Sequence, residues 1–288
     1  MTTNNRYTQY AGKIDSTEIT SVIGAEFSDG IESELATPLG SVDPNASFLL
    51  GGAPAFRFDS HLISTLITTV PISGFACVTA FEIGYLQRAA QGEMENAGQK
   101  YTAAKCFMVP ESISFSKGGV AVITVSAYPY SADGTTQPVV TSAAVVAGTP
   151  AETEKHTLGA VTINSTPYIV SGATLNFGIS VQPHRSNAHL YPTSYTIIGR
   201  QPTVDLQVED LSKLSDSYIK GAEVDNLVIN TLALSATGGG FAGAGNKSFT
   251  IAKAFVKASS SGSHGSDASM SLRAWARKSG ATAIVVVA

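Results

Sequence analysis

Four groupings in the 288-residue chain have residue types that could carry chemistry. Gly238-Gly-Gly240-Phe-Ala-Gly243 satisfies the G-x-G-x-x-G spelling of a nucleotide-binding loop. Such a loop works by opening a helix whose N-terminal N–H groups hold the phosphates. Here the following residues, NKSFTIAKAF, alternate like a strand, so the spacing predicts a flexible hairpin instead. His184 and His189 stand in the polar, Pro-bounded loop PHRSNAH. Two imidazoles could begin a zinc site, but no carboxylate or thiol is near them in sequence and no helix sets their geometry. Cys77 and Cys106, the only cysteines, read as two buried thiols rather than a disulfide. Glu93/Glu95 and Glu209/Asp210 read as solvated acidic faces, not an acid–base pair. His61, His156 and His264 are isolated, and no G-x-S-x-G nucleophile elbow occurs. The sequons at Asn45, Asn164 and Asn246 matter only in a secreted protein. The residues therefore point to no catalytic, cofactor-binding or metal site, and to a protein that is not an enzyme.

The elements that would position any site are strands. Charged residues make up 14% of the chain, well below the roughly 25% of ordinary soluble domains, and Ser, Thr, Ala, Gly and Val take their place. A surface of that kind suits strands covered by copies of themselves. The net charge of −4 gives no reason for non-specific attraction to a phosphate backbone. No apolar run of 18 residues and no leader-like N-terminus is present, so synthesis in the cytosol without an export address is expected.

The chain also repeats itself. GAEFSDGI at 24–31 and GATLNFGI at 172–179 share an offset of 148. Carried without gaps over 24–66 and 172–214, that offset gives nine identities in 43 positions: the pairs 24/172, 25/173, 30/178, 31/179, 44/192, 51/199, 54/202, 64/212 and 66/214. About three would arise from ordinary usage. Upstream, Ile14-Asp-Ser-Thr17 faces Ile163-Asn-Ser-Thr166. Downstream, residues 113–119 resemble 232–239 and 126–134 resemble 251–259, which leaves about 71–105 as an extra hairpin or loop of the first half. The reading is a tandem duplication, with domains at 1–150 and 151–288.

Period-2 alternation dominates both halves, as in VAVITVSAY and SFTIAKAFVKA. Helical spacing is confined to Leu62, Ile63 and Leu66 after Asp59-Ser60, and to Leu211, Leu214 and Tyr218 after Glu209-Asp210. The expected fold is mainly β: two tandem duplicated β-sandwich or barrel domains, each with one short helix.

Residues 84–134, with Val109-Pro-Glu-Ser-Ile113 followed by Gly118-Gly119 and a long strand, resemble the middle of tail tube proteins of long-tailed bacteriophages. Val228–Leu234, the Gly238–Gly240 run and FTIAKAFVKASSSG form a related second copy. The resemblance implies small β-sandwiches with a flanking helix. Six such domains form a ring, their inner strands close a barrel, and stacked rings conduct DNA into the host. Arms or a hairpin reach the adjacent ring. Two domains per chain then imply a homotrimer with pseudo-six-fold symmetry. The implied partners are further copies of the chain and other tail proteins (tape measure, terminator, distal tail). Genomic DNA would pass without specific binding and no membrane would be involved. The implied location is the virion tail, assembled in the host bacterial cytoplasm. Segment 71–105 is the candidate stacking hairpin, and the N-terminal MTTNNRYTQYAG and the tract 259–267 are candidate arms or exposed loops. A low-copy tail terminator, tip or decoration protein is an alternative, and a carbohydrate-binding surface module is another. The lone Trp275 in SLRAWARK bears on the last, but alternation leaves its face open.

Overall fold

The computed structural model describes residues 6–36, 46–88, 94–146, 151–213, 215–235, 240–241, 245–261, 269–278 and 286–287. The chain is mainly β, as its alternation predicts. In the first half, β1 (Arg6–Ile14), β2 (Thr17–Ile19), β3 (Val22–Ser28), the hairpin β4 (Ile31–Ala36) and β5 (Ala46–Gly52), and β6 (Ala55–Ser60) lead into helix α1 (Ile63–Thr69). Then follow β7 (Ala76–Val78), β8 (Phe81–Arg88), β9 (Met94–Ala103), β10 (Cys106–Ser116), β11 (Val122–Pro129) and β12 (Val139–Ser142). The second half has β13 (His156–Ile163), β14 (Thr166–Tyr168), β15 (Val170–Asn176), the hairpin β16 (Ile179–His184) and β17 (Ser194–Arg200), and β18 (Thr203–Val208). A 3-10 turn at Leu211–Lys213 and helix α2 (Asp216–Lys220) precede β19 (Ala222–Ala233), β20 (Ser248–Ser261), β21 (Ser269–Ala276) and β22 (Val286–Val287).

Both halves use one pairing scheme. β1 pairs with β2 and β8 as β13 pairs with β14 and β19; β3–β6–β11 repeats as β15–β18–β21. Ile14 faces Phe81 where Ile163 faces Leu227, and Phe56 faces Ala127 where Val204 faces Ala274. The turns match too. Asp15 and Asn164 both sit at φ 50°, and Gly30 and Gly178 both at φ 56°. At both glycines a Cβ would collide with a backbone carbonyl, of Ala53 or of Gln201. Only glycine fits there, which explains the Gly-Ile repeated in the two octapeptides. Each hairpin then carries a bulge at the same step, Glu32/Ser33 and Ser180/Val181.

This scheme corrects three expectations. β8 and β9 (81–103) take the places of β19 and the first part of β20, so 71–105 is not an extra hairpin; the two-stranded hairpins are 31–52 and 179–200. β11 corresponds to β21, not to 251–259, which lies in β20 and takes the place of the end of β9 and the start of β10; strand partners are set over long range. Residues 6–12 lie in β1 on β8 rather than in an arm; residues 1–5 and 262–267 lie outside the described set.

In the first half, β2-β1-β8-β9-β12 packs on β3-β6-β11-β10. Phe56 and Phe58 of β6 meet Phe81 of β8 at ring separations of 5.2 and 5.8 Å, and Phe27 meets Tyr101 of β9 at 4.9 Å. In the second half a single strand, β20, serves both layers: its start pairs with β19 and its end with β21. Phe249 and Ile251 are buried, and so are Ala254, Val256 and Ala258, so the alternation changes face at Ala252-Lys253. The first half makes the same change of layer at Ala104-Lys105, between buried Ala103 and Cys106, where the strand breaks into β9 and β10.

Candidate assembly interface

The halves are not separate bodies. β10 pairs along its second edge with β15, Ser112–Ser116 against Gly172–Asn176. Eight strands therefore run in one sheet, β3-β6-β11-β10-β15-β18-β21-β20. The joint is apolar on its inner face: Ile113, Phe115, Ala173, Leu175 and Phe177 are all buried, and Phe115 meets Phe249 at 5.7 Å. The ladder extends through Lys117 N–H to Ser171 O (2.9 Å) and Phe177 N–H to Glu111 O (2.8 Å).

The hairpin β16–β17 reinforces this joint. It crosses onto the first half, where Tyr195 lies 6.0 Å from Phe107 and 5.4 Å from Tyr128. Burial pushes the Tyr195 phenol well above its usual range. Arg200 donates to the carbonyls of Ile72 and Ser73 (2.8 Å to the latter). At the hairpin's tip the N–H groups of Leu190 and Tyr191 donate to Gly134 O (2.8 and 3.0 Å). Asp133 shapes that receiving loop by accepting from the N–H groups of Thr136 and Thr135 and from the Thr136 and Ser131 hydroxyls, which hold its carboxyl well below the ordinary range. The connector adds a fourth tie. Glu154 accepts from Ser64 N–H (2.5 Å) and Thr65 N–H (3.3 Å) at the start of α1 and contacts the buried His156 Nε2 at 2.6 Å.

These eight strands belong to a 13-stranded sheet that continues from the start of β20 through β19, β13 and β14, and the first and last of the eight are open along part of one edge. Among the described residues β3 has a partner only on its β6 side, and β20 beyond Val256 only on its β21 side. Ala53 N–H donates to Gly30 O, so by antiparallel alternation Ser28, Glu26 and Gly24 turn their backbone groups to β6. Those of Ala25 and Phe27 point to the open edge, as those of Ala173 and Leu175 point to β10. Beside that edge is a cleft of about 260 Å³ lined by Gln9, Gly24, Ala25, Glu26, Arg57 and Asp59, and the Gln9 amide nitrogen is buried without a partner. Nearby, an open cleft of about 520 Å³ is lined by Tyr7, Phe27, Tyr85 and Tyr101; in the second half Phe249, at the place of Tyr101, packs against Phe115.

The polar face of the sheet has paired charges. Arg57 Nε lies 2.7 Å from Glu111 and Arg273 Nε 2.5 Å from its cross-strand partner Asp205. Thr124 and Ser126 are buried there because their hydroxyls donate to Asp59 and Glu111.

The sequence-level candidates fall elsewhere. His184 bonds the Thr196 hydroxyl (2.7 Å), and His189 packs under Gly134. No group of three or more His, Cys, Asp or Glu side chains able to hold a metal ion occurs among the described residues. Most of 238–243 lies outside them. Cys106 is buried, and burial pushes its thiol pKa well up, but Cys77 on the short edge strand β7 is exposed, contrary to the expectation of two buried thiols. Ser64, His156 and Glu154 meet, yet the carboxylate and the hydroxyl share one ring nitrogen, Nε2, which leaves no relay to activate the serine. No helix among the described residues is long and apolar enough to cross a membrane. No protein-family model matches the chain, and no curated protein matches it.

Proposed function

We propose that the protein has a structural rather than catalytic role: its copies join head to tail into closed rings, and stacked rings form the tail tube of a long-tailed bacteriophage. One observation carries this reading. The chain contains a complete joint between two like units, β10 on β15, and ends in the two unmatched halves of the same joint. A head-to-tail contact of that kind closes into a ring when its rotation divides the circle, and closure removes the open edges. With six units per ring, as the resemblance at 84–134 implies, three chains supply about 24 strands. At the usual strand spacing and tilt these enclose a barrel about 40–50 Å across between backbones.

The polar face of the eight-stranded sheet is then the lumen wall. Its Arg57 and Arg273 are engaged by Glu111 and Asp205, so a passing phosphate backbone meets neutralised guanidinium groups and hydroxyls and is held weakly, Lys257 opposite Arg273 being a cation of this face without a carboxylate partner among the described residues. The hairpins reach between units, and the partners are further copies of the chain and the other tail proteins. Electron microscopy of the purified protein tests the reading. Rings or tubes roughly 80–100 Å wide with three-fold symmetry are expected. Dispersed monomers at high concentration under assembly conditions contradict it.

A further inference from the structure

The register equates Phe255 and Trp275 with Phe107 and Tyr128: both pairs face one another across neighbouring strands at the same place in the scheme. Their surroundings differ. Phe107 is 3% exposed beneath Tyr195 of the second-half hairpin, whereas Phe255 is 40% and Trp275 39% exposed. Phe255 and Trp275 lie 6.1 Å apart, and Gly221 packs against the Phe255 ring. Among the described residues, no strand covers this pair as β17 covers the first.

We infer that Phe255 and Trp275 are the seat of the β4–β5 hairpin of a second copy of this chain, the β5 strand crossing them at Ser47. This rests on the head-to-tail reading above and adds a surface that edge pairing alone does not require. The occupant follows from equivalence. β4–β5 has the strand lengths, entry glycine and bulge of β16–β17, and Ser47 holds the place of Tyr195. Within its own chain the base of β4–β5 already meets the other hairpin, through Gly52 N–H to Leu190 O (2.9 Å) and Glu32 to Arg185 (3.4 Å). Charge agrees. β4 carries the exposed Glu34 beside the engaged Glu32, and Lys257, two residues along the face from Phe255, has no carboxylate partner among the described residues.

Trp275 is the only tryptophan, so the intact protein reports on the seat. On assembly its emission should move to the blue. Its accessibility to acrylamide should fall about tenfold, as when exposure drops from 39% toward the 3% of Phe107. A nitroxide on Ser47→Cys in a Cys77→Ser, Trp275→Phe chain, mixed with Cys77→Ser chains that keep Trp275, should quench Trp275 in the mixed assemblies and not in dilute monomers. Rings in which Trp275 stays open to acrylamide, or is protected but not quenched from position 47, would overturn the seat while leaving the ring reading standing. A chain that never assembles would overturn both.

Discussion

The two halves follow one plan but bury different amounts of it, and the differences fall where one unit would meet the next. β15 lies between two strands with Ala173, Leu175 and Phe177 buried, while β3 has one partner among the described residues and presents Glu26, Ser28 and Asp29 to solvent. Phe177 and Asp29 hold the same place. The contrast separates an apolar joint between strands of one chain from a polar edge left open. An apolar joint made within one chain is formed on folding. The open β3 edge is polar and broken by charge, which resists indiscriminate edge pairing.

Proline separates the two joints with the largest expected effect. Ala173→Pro removes an N–H from a paired central strand and should cost about 2–4 kcal/mol, read as a collapse of the thermal midpoint or loss of folded protein. Ala25→Pro removes the equivalent N–H from an open edge. It should leave the monomer's midpoint nearly unchanged, within about 1 kcal/mol, yet abolish rings in sedimentation. Equal destabilisation by both would erase the distinction between an internal and an external joint.

The helices give a smaller contrast. α1 receives the Glu154 carboxylate at its start, whereas α2 has no side-chain cap from Ser215. Glu154→Ala should cost about 1–3 kcal/mol at neutral pH. Burial works against the ionised form of Glu154, but the hydrogen bonds from His156 and Ser64 outweigh it and lower its pKa. The contribution is therefore complete above the ordinary carboxylate range and is lost as pH falls through the lowered value. The gap between wild type and Glu154→Ala should narrow in thermal melts as pH falls below the ordinary carboxylate range and close once it passes the lowered value.

The smallest effect on stability belongs to the sheet's polar face. Glu111→Gln with Asp205→Asn should change stability by under about 1 kcal/mol, since both ion pairs are largely exposed. It should raise salt-sensitive binding to duplex DNA, measured by filter retention, because two guanidinium groups are freed on each chain. Unchanged DNA binding would argue that this face does not meet DNA.

Much of this plan was legible in the sequence because it is local. Alternation marked the strands, and Gly30/Gly178 carried the repeat because each is forced by its own turn. Ser60 marked the start of α1, where its hydroxyl accepts from Leu62 N–H and donates to Ser21 O. What was not legible is non-local. Nothing in SISFS announces that it pairs with GATLN rather than within its own half. Residues 113–119 and 232–239 look alike in sequence because an alternating stretch precedes Gly-Gly in each, although 113–116 and 232–233 belong to different places in the scheme. The face of Trp275 was ambiguous until pairing set Leu272 and Ala274 inward and Arg273 and Trp275 outward.

If the open edges of β3 and β20 join as β10 joins β15, the register between chains is fixed. The bulge in β10 before Ser112 makes Ser259 the equivalent of Ser112, and Ser28 is the equivalent of Asn176. These would be a non-hydrogen-bonded pair about 4.5 Å apart at Cα, within reach of a disulfide. The most direct measurement is oxidation of a Ser28→Cys, Ser259→Cys protein in a Cys77→Ser background, read by non-reducing mass analysis. Covalent closed trimers are expected, with no such product from Glu26→Cys paired with Ser259→Cys. Assembled rings whose 28–259 pair stays reduced, or a product that is only monomeric, would contradict it.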